Sequence, residues 1–238
     1  MRGCLFTLLL GAVAIGLFVV VVFPALVAGA LTAGVEAAGL QSESTVVTVT
    51  SDPPTDLLGM HADQVRIRAS DATFRGMEIA NLDVTLHDLR FVDRTARSID
   101  GFLDGMVVPD VGGRELALDS VRLSGGGETV IATTRIAGAQ VEGLIADGIE
   151  AKLGKRPTSV ALTVPDRLTV RLDGTVRGRL IVSPSGDLQL RITNGPAEGL
   201  VVTLLRGGVD VPLRLTEAAV SPAGDLELTG ELAVSLLG

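Results

Sequence analysis

Residues 82–87 read Leu82-Asp83-Val84-Thr85-Leu86-His87, and this alternation of apolar and polar positions decides the fold. A strand sends successive side chains to opposite faces, so Leu82, Val84 and Leu86 share a dry face while Asp83, Thr85 and His87 share a wet one. The same beat sounds in Val65-Arg66-Ile67-Arg68 and in Leu168-Thr169-Val170-Arg171-Leu172-Asp173, and it continues through 176–182, 188–192 and 226–234. Strands with one apolar and one polar face belong to antiparallel sheets. Short turn signals divide them, at Arg75-Gly76, Asp173-Gly174, Asn194-Gly195-Pro196 and Arg206-Gly207-Gly208, and connections this short predict meanders of neighbouring strands.

Helical spacing interrupts the pattern in the middle of the chain. Ile136, Val141, Leu144, Ile145, Ile149 and Leu153 recur every three to five residues, which predicts a helix over 134–153. Thr134 is its candidate cap, and Gly154 with Pro157 its stop; Lys152, Lys155 and Arg156 gather at the end favoured by the helix dipole. A second, weaker helical stretch is 93–106, with Ile99, Phe102, Leu103 and Met106 on one side. The expected class is α+β, a long curved antiparallel sheet wrapped on one or two helices.

Of the 238 residues 47% are hydrophobic but only 3% are aromatic, with no Trp or Tyr. Any core or pocket is therefore aliphatic, which tells against stacking platforms for single-stranded nucleic acid or sugars. The net charge of -8 also tells against a nucleic-acid partner. From 3 to 35 no residue is charged, and 5–23 alone would span roughly 28 Å as a helix, enough for a bilayer core. The expected organisation is a transmembrane anchor or signal peptide at 1–24, followed by one extracytoplasmic domain at 25–238. Arg2 before the span and Glu36, Glu43 and Asp52 after it place the N-terminus in the cytoplasm and the domain outside, in a single-pass arrangement. Pro24 kinks or ends the anchor, and 25–40 reads as a short further helix stopped by Gly39. Cys4, the one cysteine, has no internal disulfide partner.

Motifs for chemistry are sparse. Leu123-Ser124-Gly125-Gly126-Gly127 resembles an ATPase signature, but no phosphate loop accompanies it, so it reads as a glycine-rich turn between strands at 115–123 and 129–134. His61, assigned to a loop, and His87, on a polar beat, lack the spacing of a metal shell. No GxSxG elbow is present. Asp83 and Asp88 differ in parity along one strand, so they are expected to face opposite sides. Arg90, Arg94 and Arg97, with the cations after the central helix, are the local basic groups that could touch an anionic headgroup. The phrase Val-Ser-Pro-x-Gly-Asp occurs twice, at 182–187 and 220–225. It reads as two hairpin turns of one meander, with Asp187 and Asp225 solvated. No catalytic residue, metal or cofactor is expected.

Residues 45–91 resemble the LmeA-type family of exported actinobacterial phospholipid-binding proteins. Leu57-Leu58-Gly59, Val65-Arg66-Ile67 and the run from Gly76 to Leu86 supply that family's parts in order, although Asp52-Pro53-Pro54 lacks the family's following Phe. The resemblance implies a fold of the bactericidal/permeability-increasing type, acting on envelope phospholipids. The expectation is a non-enzymatic, membrane-anchored extracytoplasmic protein of the cell envelope that binds or shuttles phospholipid or a lipid-linked glycan precursor. Acyl chains would enter between strands and the central helix, lined by Val84, Leu86, Leu144, Ile145, Ile149, Val170 and Leu172. The alternatives are an envelope scaffold recruiting a protein partner through an edge strand, and an envelope hydrolase.

Overall fold

The computed structural model describes residues 23–233 apart from 38, 75, 94, 110, 112, 127, 128, 196, 211 and 212. The expected membrane span at 5–23 lies almost wholly outside the described residues. Among those described, no helix is long and apolar enough to cross a membrane.

Helix α1 (Phe23–Ala37) leads through Gly39 into six strands joined as successive hairpins: β1 (Leu40–Thr50), β2 (His61–Phe74), β3 (Met77–Arg90), β4 (Ser98–Val108), β5 (Leu116–Gly126) and β6 (Thr129–Ile136). Helix α2 (Gly138–Leu153) then carries the chain to a second meander of β7 (Ser159–Thr163), β8 (Arg167–Arg171), β9 (Thr175–Val182), β10 (Leu188–Ile192) and β11 (Val201–Leu205). Finally β12 (Arg214–Val220) and β13 (Leu226–Ala233) return to the first sheet, where β13 pairs with β6. The result is an eight-stranded curved sheet in the order β1-β2-β3-β4-β5-β6-β13-β12 and a five-stranded sheet in the order β11-β10-β9-β8-β7, both antiparallel. The class is α+β, as expected.

The main core lies between α2, the second sheet and the first sheet, of which it takes in buried residues from every strand, from Leu40 of β1 and Ile79 of β3 to Leu215 of β12 and Leu228 of β13. Val141, Leu144, Ile145, Ala146 and Ile149 form the buried stripe of α2, at helical spacing. Gly148 permits a close approach of β11, because a Cβ there would lie 2.8 Å from Val202 Cγ1. A smaller second core joins Val49, Leu57, Ala62, Val65 and Leu89 at the far end of the first sheet, with Val27, Ala28 and Leu31 of α1 packed on it. Val35, further along α1, packs on the main core. α1 thus runs from one core to the other.

Four expectations are corrected. The described residues of 93–106 hold no helix; β4 occupies 98–108, Ile99 and Met106 are buried, and Phe102 on the opposite face is 43% exposed. At the three-residue step from Leu103 to Met106, Gly105 takes φ +59° and, with Ala80 opposite it, drops out of the pairing between Asn81–Asp104 and Ile79–Met106, while the register on either side is unchanged. Both strands change phase together at that point, and the step counterfeits helical spacing. Second, the central helix begins at Gly138, and Thr134 is a buried β6 residue whose hydroxyl donates to the Ser120 carbonyl (3.0 Å). Third, the two Ser-Pro-x-Gly-Asp hairpins do not share a meander: β9–β10 belongs to the second sheet and β12–β13 to the first, because the 206–213 connection crosses between them. Fourth, His61 opens β2 instead of lying in a loop. The helix expected at 25–40 ends at Ala37, and Gly39 (φ +102°) donates back to the Glu36 carbonyl at 2.9 Å.

Candidate functional site

Register builds one apolar row across all eight strands of the first sheet. Val47 faces Ile67, Ile67 faces Val84, Val84 faces Gly101, Gly101 faces Leu123, Leu123 faces Ala132, Ala132 faces Gly230, and Gly230 faces Leu215. From Ala132 to Leu215 the row is buried, whereas Val47, Ile67, Val84, Gly101 and Leu123 are only half-buried. Ile67 packs on the smaller core and Leu123 on the main one; Val84 belongs to neither. Gly101 keeps the row low beside it, since a Cβ there would lie 3.0 Å from Val84 Cγ2. α1 bridges the same gap and is lightly seated: none of residues 25–37 is buried, and Leu26 is 58% exposed. Its alanines and glycines offer little side-chain area with which to seal the row.

The expected lining residues fall into two groups. Leu144, Ile145, Ile149 and Val170 are buried in the main core, with Leu172 half-buried on its margin. The helix–strand interface named as an acyl route is therefore filled by protein side chains. Val84 and Leu86 lie instead on the half-covered part of the first sheet. The rest of the row was missed, although its members sit on the apolar beats of strands already recognised; register, which sequence does not reveal, aligns them.

The basic groups singled out from sequence are largely engaged. Arg156 bridges Asp147 and Glu150, each at 2.7 Å, Lys155 pairs with Asp173, and Arg97 lies 3.2 Å from Asp88. Arg94 lies outside the described residues. On the outer face of β2–β3, Arg66 forms a two-pronged pair with Asp83 (2.8 and 2.5 Å), which holds that carboxyl below the usual carboxylate range.

Folding also gathers residues that sequence kept apart. Ligand atoms of His61, Asp63 and Asp88 lie within 4.8 Å of one another. Asp88 has φ +50° and, with Asp63 opposite it, drops out of the β2–β3 pairing, so strict parity along β3 does not describe where it faces. Both carboxylates already have partners: Asp63 Oδ2 accepts the Asp52 N–H (2.6 Å), and Asp88 faces the Arg97 guanidinium. His87 is half-buried, 3.6 Å from Asp100.

The repeated hairpins hold a second surprise. Gly186 and Gly224 both take φ +88°, as a turn glycine should. Asp187 and Asp225 are half-buried and not simply solvated: each accepts a distant backbone N–H, from Gly207 (3.1 Å) and from Gly138 (3.2 Å) respectively. They are fold latches. Two surface depressions are polar, one lined by Asp119, Arg122, Arg135 and Glu227, the other by Asp71, Glu78 and Gly105. Neither includes a residue of the apolar row.

No protein-family model matches the chain, and no curated protein or solved structure matches it significantly.

Proposed function

We propose that this is a non-enzymatic, membrane-anchored extracytoplasmic protein that binds or shuttles phospholipid or a lipid-linked glycan precursor in the cell envelope. The observation that carries the reading is the half-covered apolar row from Val47 to Leu123, bridged by a helix none of whose residues 25–37 is buried. An acyl chain lying along the row beneath α1 would gain about 0.8 kcal/mol per methylene removed from water. The polar groups of the lipid stay at the sheet margin. Val47, Ile67, Val84, Leu86 and Leu123 line the chain in this proposal, and Leu144, Ile145, Ile149 and Val170 support it from the filled core. Kinship with LmeA-type proteins and with bactericidal/permeability-increasing folds belongs to the same proposal, supported by the 45–91 motifs and by the long curved sheet. The uncharged run at 3–35 would hold the domain beside its ligand and raise the lipid concentration it samples.

The test is a photo-crosslinking amino acid placed at Val84 in the full chain, irradiated in its own membrane. A phospholipid adduct at position 84, and none at Leu188 in the filled core, is the expected result. Equal labelling at the two positions, or none at 84, defeats the reading.

A further inference from the structure

The outer face of the second sheet carries an arginine array that the recognised basic clusters did not include. On β8, β9 and β10 the inward beats are Leu168, Val170, Val176, Leu180, Leu188 and Leu190, all buried. The outward beats hold Arg167, Arg171, Arg177, Arg179 and Arg191, all exposed. Arg167 pairs directly with Arg179, and Arg179 with Arg191, so three guanidinium groups stand in a row across three strands. Like charges directly opposite one another in a sheet are unfavourable. Among the described residues only Arg179 has an acidic partner, Asp166 at 2.5 Å. The other outward strand positions of this sheet are Ser, Ala, Thr, Gln, Ile or Val; none is Asp or Glu.

A chain of net charge -8 has no need of such a face for solubility, and the row works against the pairing of its own strands. The array is also planar: with strands ~4.8 Å apart and same-face residues ~6.7 Å apart, it spans roughly 10 Å by 13 Å. A guanidinium binds phosphate in a two-pronged geometry. We infer that this face docks the domain on the anionic phosphate headgroups of a phospholipid surface. A plane of phosphates matches a plane of guanidinium groups, and the uncharged run at 3–35 of the same chain suits a bilayer. The overall negative charge and the absence of Phe, Tyr or Trp from this face disfavour nucleic acid. The inference rests on the membrane placement in the proposed function, but not on the acyl-binding row, which lies on a different sheet.

The full chain carrying Cys4→Ser and Thr169→Cys, with a donor dye on the new thiol, is reconstituted into vesicles whose headgroups carry an acceptor. Vesicles of phosphatidylcholine alone are compared with vesicles containing phosphatidylglycerol as well; the N-terminal segment tethers the chain equally in both. Energy transfer should be higher in the anionic vesicles and fall to the neutral level in 1 M salt, where the screening length is about 3 Å. The triple variant R167Q/R177Q/R191Q should lower the ratio of docked to undocked domain on the order of 100-fold, about fivefold per charge. It should melt no lower than the parent, because like-charge pairs are relieved. The triple lysine variant keeps the charge without the two-pronged geometry and should dock more weakly than the parent but more tightly than the glutamine variant. Equal energy transfer in the two vesicle types overturns the inference, as does docking that survives the glutamine variant. A signal that grows with protein density at fixed lipid assigns the face to the acidic surface of a second copy and overturns it too. The crosslink at position 84 reports separately on the lipid-binding reading.

Discussion

Asp225 accepts a hydrogen bond from the backbone N–H of Gly138, 3.2 Å away and 87 positions earlier in the chain. Gly138 is the first residue of α2, and Ala137, at the cap position, has no side chain that can satisfy the free amides there. The closing hairpin of the first sheet therefore caps the helix of the core. Asp225→Ala should cost about 1 kcal/mol in urea denaturation, the usual worth of a cap, while Asp225→Asn retains an acceptor and most of the stability.

Two carboxylates should make stability acid-sensitive. The Asp83 carboxyl is lowered by its hydrogen bonds to Arg66, and that of Asp187 by the Ser185 hydroxyl first, then by the Gly207 N–H and the Ser183 hydroxyl. Each folded-state value lies below that of the unfolded chain, so the unfolded state takes up protons first as the pH falls. Their contribution is complete above the unfolded carboxylate value of about 3.9 and is lost as pH drops through the lower folded values. Urea midpoints measured between about pH 6 and 3 should fall toward acid, and Asp187→Asn should flatten the drop.

Two glycines of α2 should respond oppositely to alanine. At Gly143 the new methyl meets the Arg114 guanidinium at 2.7 Å, the far end of a flexible side chain that can swing aside. Helix propensity then dominates, and Gly143→Ala should stabilise by roughly 0.5–1 kcal/mol. At Gly148 it meets Val202 and Leu204 at 2.8 and 3.3 Å, both fixed in the core, so Gly148→Ala should cost roughly 1–3 kcal/mol despite the same propensity gain. Paired thermal melts compare them.

Stability and lipid retention should separate along the apolar row. Ile149→Ala empties a fully buried site and should cost about 2–5 kcal/mol. Val84→Ala removes two methyl groups from a half-buried site, so it should cost clearly less than Ile149→Ala in the same denaturation series. Only Val84→Asp should reduce the phospholipid retained by the full chain in native mass spectrometry, because a carboxylate on the row opposes an acyl chain.

Much of this architecture was legible from period-two alternation: β2, β3, β8, β9, β10 and β13 lie on stretches where that beat was read. Alternation failed where positive-φ residues reset it. At Gly105, between Leu103 and Met106, and at Asp88, between Leu86 and Leu89, the inward-facing positions step by three, and at the first of these places a strand looked like a helix. The central helix was readable because its stripe has five closely spaced buried residues. Its start was not, since the cap comes from Asp225, which no local pattern can reveal. The candidate site was partly legible: Val84 and Leu86 were marked by their beat, but the row containing Val84 exists only through the register of eight strands. The arginine array escaped for the same reason, because its members come from three strands and never form a cluster along the chain.

The first six strands each pair with their neighbours in sequence, so that meander can zip up as the chain emerges. Its free edge at β6 is filled only by β13, whose partner residues lie 90 to 104 positions later; Arg135 and Glu227, for example, are 92 apart. Until the last strand arrives, β6 presents an unpaired edge, the main core lacks Leu226 and Leu228, and α2 lacks its cap. A chain made from its N-terminus therefore completes this fold only when β13 has been added. A chain cut short before β13 would expose a sticky strand edge to degradation and aggregation, so the fold carries its own mark of incompleteness.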